Sequence, residues 1–203
     1  MAIGGAWIVN SEFWDALTEA LKPQGDATQS FVGSFPKQAA VMVLITEEVS
    51  PEIIYTLRAK HLNQHAGEVC FPGGKWELQD QSLLSTALRE THEEIGLAPS
   101  MVDVLGALPA RPTKSGAMVQ PFVGKIPAGC RFNLNHHELE ELFSVPLAAF
   151  QRGLQVRTDI FERNGVRFRM PAYVYEGYEI WGFTAGVTAE LLSLLQYLRV
   201  NSA

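Results

Sequence analysis

Between residues 73 and 97 the chain crowds three carboxylates together. Glu90, Glu93 and Glu94 stand at i, i+3 and i+4, the spacing that puts side chains on one face of a helix. Like charges at this spacing cost an isolated helix roughly 0.2–0.5 kcal/mol per pair. They also fall in the last turn, where the helix dipole prefers cations. Arg89 relieves part of this repulsion. A hard divalent cation, which takes carboxylate oxygens and often shares its shell with substrate phosphates, would relieve the rest. A bare Glu-x-x-Glu-Glu is more often a solvated acidic face. The glycine pair Gly73-Gly74, the Arg89-Glu90 step and the closing Gly96 reverse those odds.

These acids need a helix to hold them, and the sequence supplies one. Leu84, Ala87, Leu88, Thr91 and Ile95 recur at helical spacing and form one buried stripe. Ser82 fits an N-cap, and Gly96 fits the left-handed position that ends a helix. Ahead of it, Gly67 to Gly74 reads as a short strand that stops at Pro72 and enters a glycine turn. Such glycines let backbone N–H groups approach a phosphate or a neighbouring loop closely.

Taken together, these residues resemble the Nudix hydrolase family. Its box has a glycine, an acid six residues on, then Arg-Glu, an apolar residue, any residue, Glu-Glu, any residue and glycine. Gly74, Asp80, Arg89, Glu90, Thr91, His92, Glu93, Glu94, Ile95 and Gly96 stand at these places. Asp80 replaces glutamate, Thr91 replaces an apolar residue, and one extra residue precedes Arg89. The flanks resemble the coenzyme A pyrophosphatase branch of that family. Thr56-Leu57-Arg58, Leu62-Asn63 and the run from Gly67 to Gly74 precede the box as they do there. Asn63 and Ala59 depart from the basic residue and the serine that the branch carries. The similarity continues through Ser115-Gly116, Val119 to Gly124, Asn135 to Glu141, and Ile180 to Ala185.

The resemblance implies an α+β fold, an α/β/α sandwich with a mixed β-sheet, with the box helix on one face and its carboxylates at the rim. It implies a Mg2+- or Mn2+-dependent hydrolase that cleaves the pyrophosphate of coenzyme A or acyl-coenzyme A to 3′,5′-ADP and 4′-phosphopantetheine or its acyl form. ADP-ribose or a dinucleotide is the alternative substrate, and a non-catalytic nucleotide sensor is the alternative from another class. Glu90 and Glu94, one turn apart, are the first metal ligands. Glu93 is a further ligand or the group that orients and deprotonates the water. Glu138 or Glu141 is the other candidate base. Arg89 holds the carboxylates by charge-assisted hydrogen bonds, and Asp80 caps the helix or supports the site from behind. Arg58, Gly73, Gly74, Lys75, Arg111 and Lys114 are the candidate contacts to substrate phosphates.

The rest of the chain bounds this reading. Its 203 residues suit one sizeable domain over 38–200, preceded by an arm over 1–37. The net charge of −6 speaks against broad nucleic-acid or anionic-membrane binding. Two cysteines, Cys70 and Cys130, make no disulfide framework and fit a reduced, cytoplasmic setting. No targeting segment or membrane-length apolar run stands out. A homodimer is the base-rate expectation.

In chain order, the pattern predicts a helix over Ser11 to Leu21 capped by Ser11, then loop from Pro23 to Pro36. Strands follow at Ala39 to Ile45, Glu52 to Arg58, Met101 to Leu108 and Met118 to Ile126, the last at an edge or a bulge because of Pro121. Glu138 to Glu141 reads as the start of a short helix. Gln155 to Phe161 and Val166 to Met170 flank an Asn-Gly hairpin signal. Tyr173 to Trp181 reads as one strand, and Thr184 to Leu198 as a closing helix with a leucine stripe.

Overall fold

A computed structural model describes residues 10–22, 37–113, 116–163 and 165–201. Helix α1 (Ser11–Leu21) is followed by β1 (Gln38–Glu47), β2 (Glu52–Arg58), β3 (Val69–Cys70), β4 (Gly73–Lys75) and the box helix α2 (Leu83–Ile95). Then come β5 (Asp103–Ala107), β6 (Arg111–Pro112), β7 (Met118–Pro127), β8 (Leu139–Pro146), α3 (Leu147–Gln151), β9 (Gln155–Arg163), β10 (Val166–Tyr175), β11 (Tyr178–Ile180) and α4 (Gly182–Asn201). The loop expected over Pro23 to Pro36, Lys114 and Ser115 lies outside the described residues.

The main sheet is mixed and runs β3-β2-β1-β7-β5, with β4 on β1, β6 on β7 and β8 on β2. Its centre is β1, parallel to β7 from Gln38↔Met118 to Glu47↔Pro127. Residues alternate across a strand, so β1 feeds two cores. Ala40, Met42 and Leu44 pack with Leu83, Ala87 and Ile95 of α2. Val43 and Ile45 pack on the opposite face with Leu191 and Leu195 of α4. Each buried Val, Leu, Ile or Met among them contributes about 1.5–3 kcal/mol. The leucine stripe of α4 is therefore core, as its spacing implies. Trp14, Leu17 and Leu21 join that second core, which seats α1.

Strands β1 and β2 meet at Ile45↔Ile53. Toward the other end of β1, β4 takes its edge from Ala39↔Lys75 to Val41↔Gly73. Beside it β3 takes the edge of β2 at Thr56↔Cys70 and Leu57↔Val69. The run from Gly67 to Lys75 thus crosses from one strand to the other, and the Met42 N–H donates to the Pro72 carbonyl on the way. Gly73 makes the crossing possible. It has φ 151°, and a Cβ there would lie 2.3 Å from the Ala40 carbonyl oxygen.

Four sequence expectations are corrected. Asn10, not Ser11, caps α1, accepting the Phe13 N–H at 2.9 Å. Leu139 to Pro146 is strand rather than the start of a helix, paired with β2 along its length. The stretch Tyr173 to Trp181 is broken by a turn at Glu176 and Gly177, whose φ values of 48° and 91° fold it into the β10–β11 hairpin. Pro121 sits inside the sheet, between β1 and the β5–β6 edge. Its missing donor is replaced locally. Leu108 gives its N–H to the Pro121 carbonyl at 3.0 Å, and the Leu108 carbonyl takes the Gln120 amide at 2.6 Å instead of a proline N–H.

Among the described residues no helix is long and apolar enough to cross a membrane.

Candidate active site

Helix α2 is capped at both ends from within the sequence. Ser82 accepts the Ser85 N–H, and Ser85 returns a bond to the Ser82 N–H, a reciprocal cap. Gly96 closes the helix at φ 69°. The segment after β7 then lies over that end: Asn133 and Asn135 donate their N–H groups to the Ile95 and Glu94 carbonyls. Thr91, at the place of an apolar residue, is fully buried because its hydroxyl donates to the Ala87 carbonyl at 2.7 Å.

Arg89 is the clamp of the site. Its Nε and Nη2 fork onto Asp80 at 2.9 and 3.0 Å. Nη1 reaches Glu90 and Glu93, each at 3.0 Å, and Nη2 also meets the Lys75 carbonyl of β4 at 3.1 Å. Asp80 is buried and also accepts from the Thr86 hydroxyl and the Glu77 N–H. The guanidinium, chiefly, holds the Asp80 carboxyl down to about 2. Asp80 thus neither caps the helix nor faces the open site; it anchors Arg89.

Glu90 and Glu94 form the electrically stressed pair. The side chain of Glu94 is only 3% exposed. Gly73 donates its N–H to Glu94 Oε2 at 3.1 Å, and Arg58 Nη1 lies 3.6 Å from Oε1. Burial outweighs both contacts and pushes the carboxyl up to about 8, with Glu90 and Glu138 adding repulsion. Burial also raises Glu90, against the pull of Arg89. Gly74 leaves the space Glu90 occupies: a Cβ there would lie 2.3–2.5 Å from the Glu90 carboxylate. Gly74→Ala is therefore expected to displace that carboxylate and lower kcat/KM by about 10²-fold with the fold retained. Unchanged kcat/KM in a steady-state assay contradicts the placement.

A model of the NUDIX domain matches residues 36–162. The chain belongs to the Nudix family. The uncharacterized Nudix hydrolase NudL of Escherichia fergusonii is 40% identical over 156 residues, 76% of this chain and 81% of that protein. NudL of an Enterobacter species, also uncharacterized, is 36% identical over 155 residues, with the same coverage. In fold, the chain resembles a MutT/nudix family protein from Enterococcus faecalis, with TM-score 0.52 and 14% identity, over 97% of this chain and 76% of that one. A C. elegans Ap4A hydrolase binary complex gives TM-score 0.50 and 15% identity over 82% and 97%. The expected α+β Nudix sandwich is the fold observed, and the protein is a Nudix hydrolase.

Nudix hydrolases use divalent ions such as Mg2+ or Mn2+. Among the described residues no group of three or more His, Cys, Asp or Glu side chains is poised as a finished metal site. The donor chemistry nonetheless fits: buried Glu94 and half-buried Glu90 keep a raised affinity for protons despite Arg58 and Arg89, and a hard cation offsets that charge. Glu93 stays beside Glu90, as the helical spacing implied: Arg89 Nη1 lies 3.0 Å from both, and Glu93 adds repulsion at Glu90. Its side chain is 54% exposed and bound to Arg89. Glu138, on the segment leading into β8, is felt by both Glu90 and Glu94. The Ala59 N–H fixes the Glu138 carbonyl at 2.9 Å, and the Asn135 amide donates to its carboxylate at 3.3 Å. Glu141 accepts the Tyr178 hydroxyl.

The basic candidates divide. Arg58 reaches Glu94, and its Nε is buried with no hydrogen-bond partner among the described residues. Lys75 is exposed at the end of β4. Arg111 is turned to the opposite face, where Glu190 of α4 binds it at 2.6–2.8 Å. His136 and His137 are exposed, and burial holds the Cys70 thiol neutral, pushed up to about 11. Sequence reasoning missed Thr86, the second lock on Asp80, and Thr184, whose hydroxyl donates to the Val69 carbonyl at 2.9 Å and ties α4 to β3. Tyr55 lies behind this: its hydroxyl donates to Thr188, which itself donates to the Thr184 carbonyl.

Proposed function

We propose that this site hydrolyses the pyrophosphate bond of coenzyme A or acyl-coenzyme A, releasing 3′,5′-ADP and 4′-phosphopantetheine or its acyl form. The observation that supports this most is the meeting of two motifs. Arg58, of the Thr56-Leu57-Arg58 step, is hydrogen-bonded through its backbone to Gly67 and Glu68 and sits against Glu94 of the box. The residues that mark the coenzyme A branch are therefore built into the same wall as the carboxylates.

Glu90 and Glu94 would hold the cation, Mg2+ or Mn2+. Bound there, it supplies charge neutralisation for the diphosphate and a more acidic water. The chain's own residues do the rest. The Gly73 N–H and Arg58 fix the Glu94 carboxylate, so the site is preorganised. Arg89 fixes Glu90 and holds Glu93 beside it. Glu138 takes the proton from the attacking water, since its charge acts on both Glu90 and Glu94 while Glu93 is paired with Arg89 and Glu141 with Tyr178. The partly exposed Arg58 guanidinium and the Lys75 ammonium meet the substrate's phosphates. Asn63 and Ala59 favour a second reading, in which the diphosphate belongs to ADP-ribose or a dinucleotide.

Incubation of the protein and Mg2+ with coenzyme A, acetyl-coenzyme A, ADP-ribose and diadenosine polyphosphates, followed by chromatography, ranks these substrates by kcat/KM. The highest value is expected for a coenzyme A species, by at least about tenfold. No cleavage of either coenzyme A species by protein active on another diphosphate overturns the substrate assignment.

A further inference from the structure

The three-stranded sheet runs β11-β10-β9, so β9 has no strand on its outer edge among the described residues. An open edge of this length carries unpaired backbone donors and acceptors ready for another strand. Two large apolar side chains stand on it, Val156 at 57% and Ile160 at 65% exposure. Between them lie Arg157, Thr158 and Asp159.

We propose that β9 pairs antiparallel with β9 of a second copy of this chain, about a two-fold axis at Thr158. Such an axis sets Thr158 opposite its mate, Arg157 opposite Asp159 of the other copy, and Val156 opposite Ile160 of the other copy. Directly opposed residues share a sheet face, so the apolar contact and the ion pair each form twice. The charge order selects this register. An axis at Arg157 or Asp159 opposes like charges to themselves, and one at Ile160 sets Arg157 against Arg163. An axis at Phe161 faces Ile160 with Glu162. Within one copy Arg157 already binds Asp159 and Glu179, which keeps its guanidinium at this edge. Val156 forms a one-residue bulge against β10, placing the irregularity near the end of the paired stretch and leaving the centre regular.

The test is sedimentation velocity on three full-length proteins with circular dichroism as the control for folding. The wild type is expected to dimerise. Arg157→Asp and Asp159→Arg each put like charges opposite one another, and each is expected to raise the dimer dissociation constant by about tenfold or more. Mixing those two variants restores opposite charges at every position, so an equimolar mixture should form a heterodimer as tight as the wild-type dimer. A monomeric wild type, or a dimer that neither substitution weakens, overturns the proposal. A mixture no tighter than its components overturns it as well. None of these readings depends on which diphosphate the active site cleaves.

Discussion

Glu94→Gln is expected to abolish divalent-metal-dependent turnover, lowering kcat by at least about 10³-fold, while the protein stays folded. The folded chain tolerates this change because the amide still accepts the Gly73 N–H and fills the same space. It has an electrostatic reason to welcome it. The Glu94 carboxyl titrates near 8 in the folded protein and from its ordinary 4.5 in the unfolded chain. Between those values the folded state holds a proton the unfolded state has lost. Wild-type stability without metal therefore falls as pH rises from 4.5 to about 8, by a few kcal/mol at most, and the penalty is complete above that. The variant cannot ionise there. Thermal unfolding in chelator should show a flatter pH profile and a higher Tm than wild type at about pH 9. Near-normal turnover, or a Tm that drops at alkaline pH, contradicts the role given to Glu94.

Arg89→Ala carries the second large effect, on stability and activity together. Asp80 is paired in a fork with Arg89, and its side chain is only 3% exposed. Removing one partner of a buried ion pair costs about 3–5 kcal/mol, because the other charge is left in a poor solvent. Thr86 and the Glu77 N–H still bond Asp80, which places the loss toward the lower end. Asp80→Asn in the same background should restore part of the urea midpoint but none of the activity, since Glu90 and Glu93 still lack their shared donor. Acid unfolding gives a further reading. In the wild type the Asp80 contribution is full above 3.8 and disappears as pH falls through about 2. Without Arg89 it should disappear at higher pH. Arg89→Ala that unfolds at the wild-type urea concentration defeats the account of the clamp.

The parts of this molecule that were legible in its sequence are those set by local rules. Helix α2, its Ser82 cap and its Gly96 end follow from spacing and capping alone, and the structure reproduces them. The α4 stripe is legible for the same reason. Elements decided by distant partners were not. Leu139 and Leu142 stand three apart and mimic a helix face, but pairing with β2 makes them strand. Helical spacing puts Glu90, Glu93 and Glu94 on one face but does not show that Glu94 is buried while Glu93 is 54% exposed. Arg111 carries no local sign that Glu190, 79 residues away, will bind it. Pro121 looks like an edge residue until the Gln120 side chain is seen to take the role of its missing N–H. The Gly-Glu pattern identified the site's walls; which carboxylates close on one another depended on the crossing of β3 and β4 between β1 and β2.

Calorimetric titration of Mn2+ into wild type and the Glu90→Gln/Glu94→Gln double variant, both with a non-hydrolysable diphosphate present, tests the central claim most directly. Saturable binding is predicted in the wild type and a loss of at least about 10²-fold in affinity in the variant. Equal affinities in the two proteins, or no binding in either, contradict a cation held between Glu90 and Glu94.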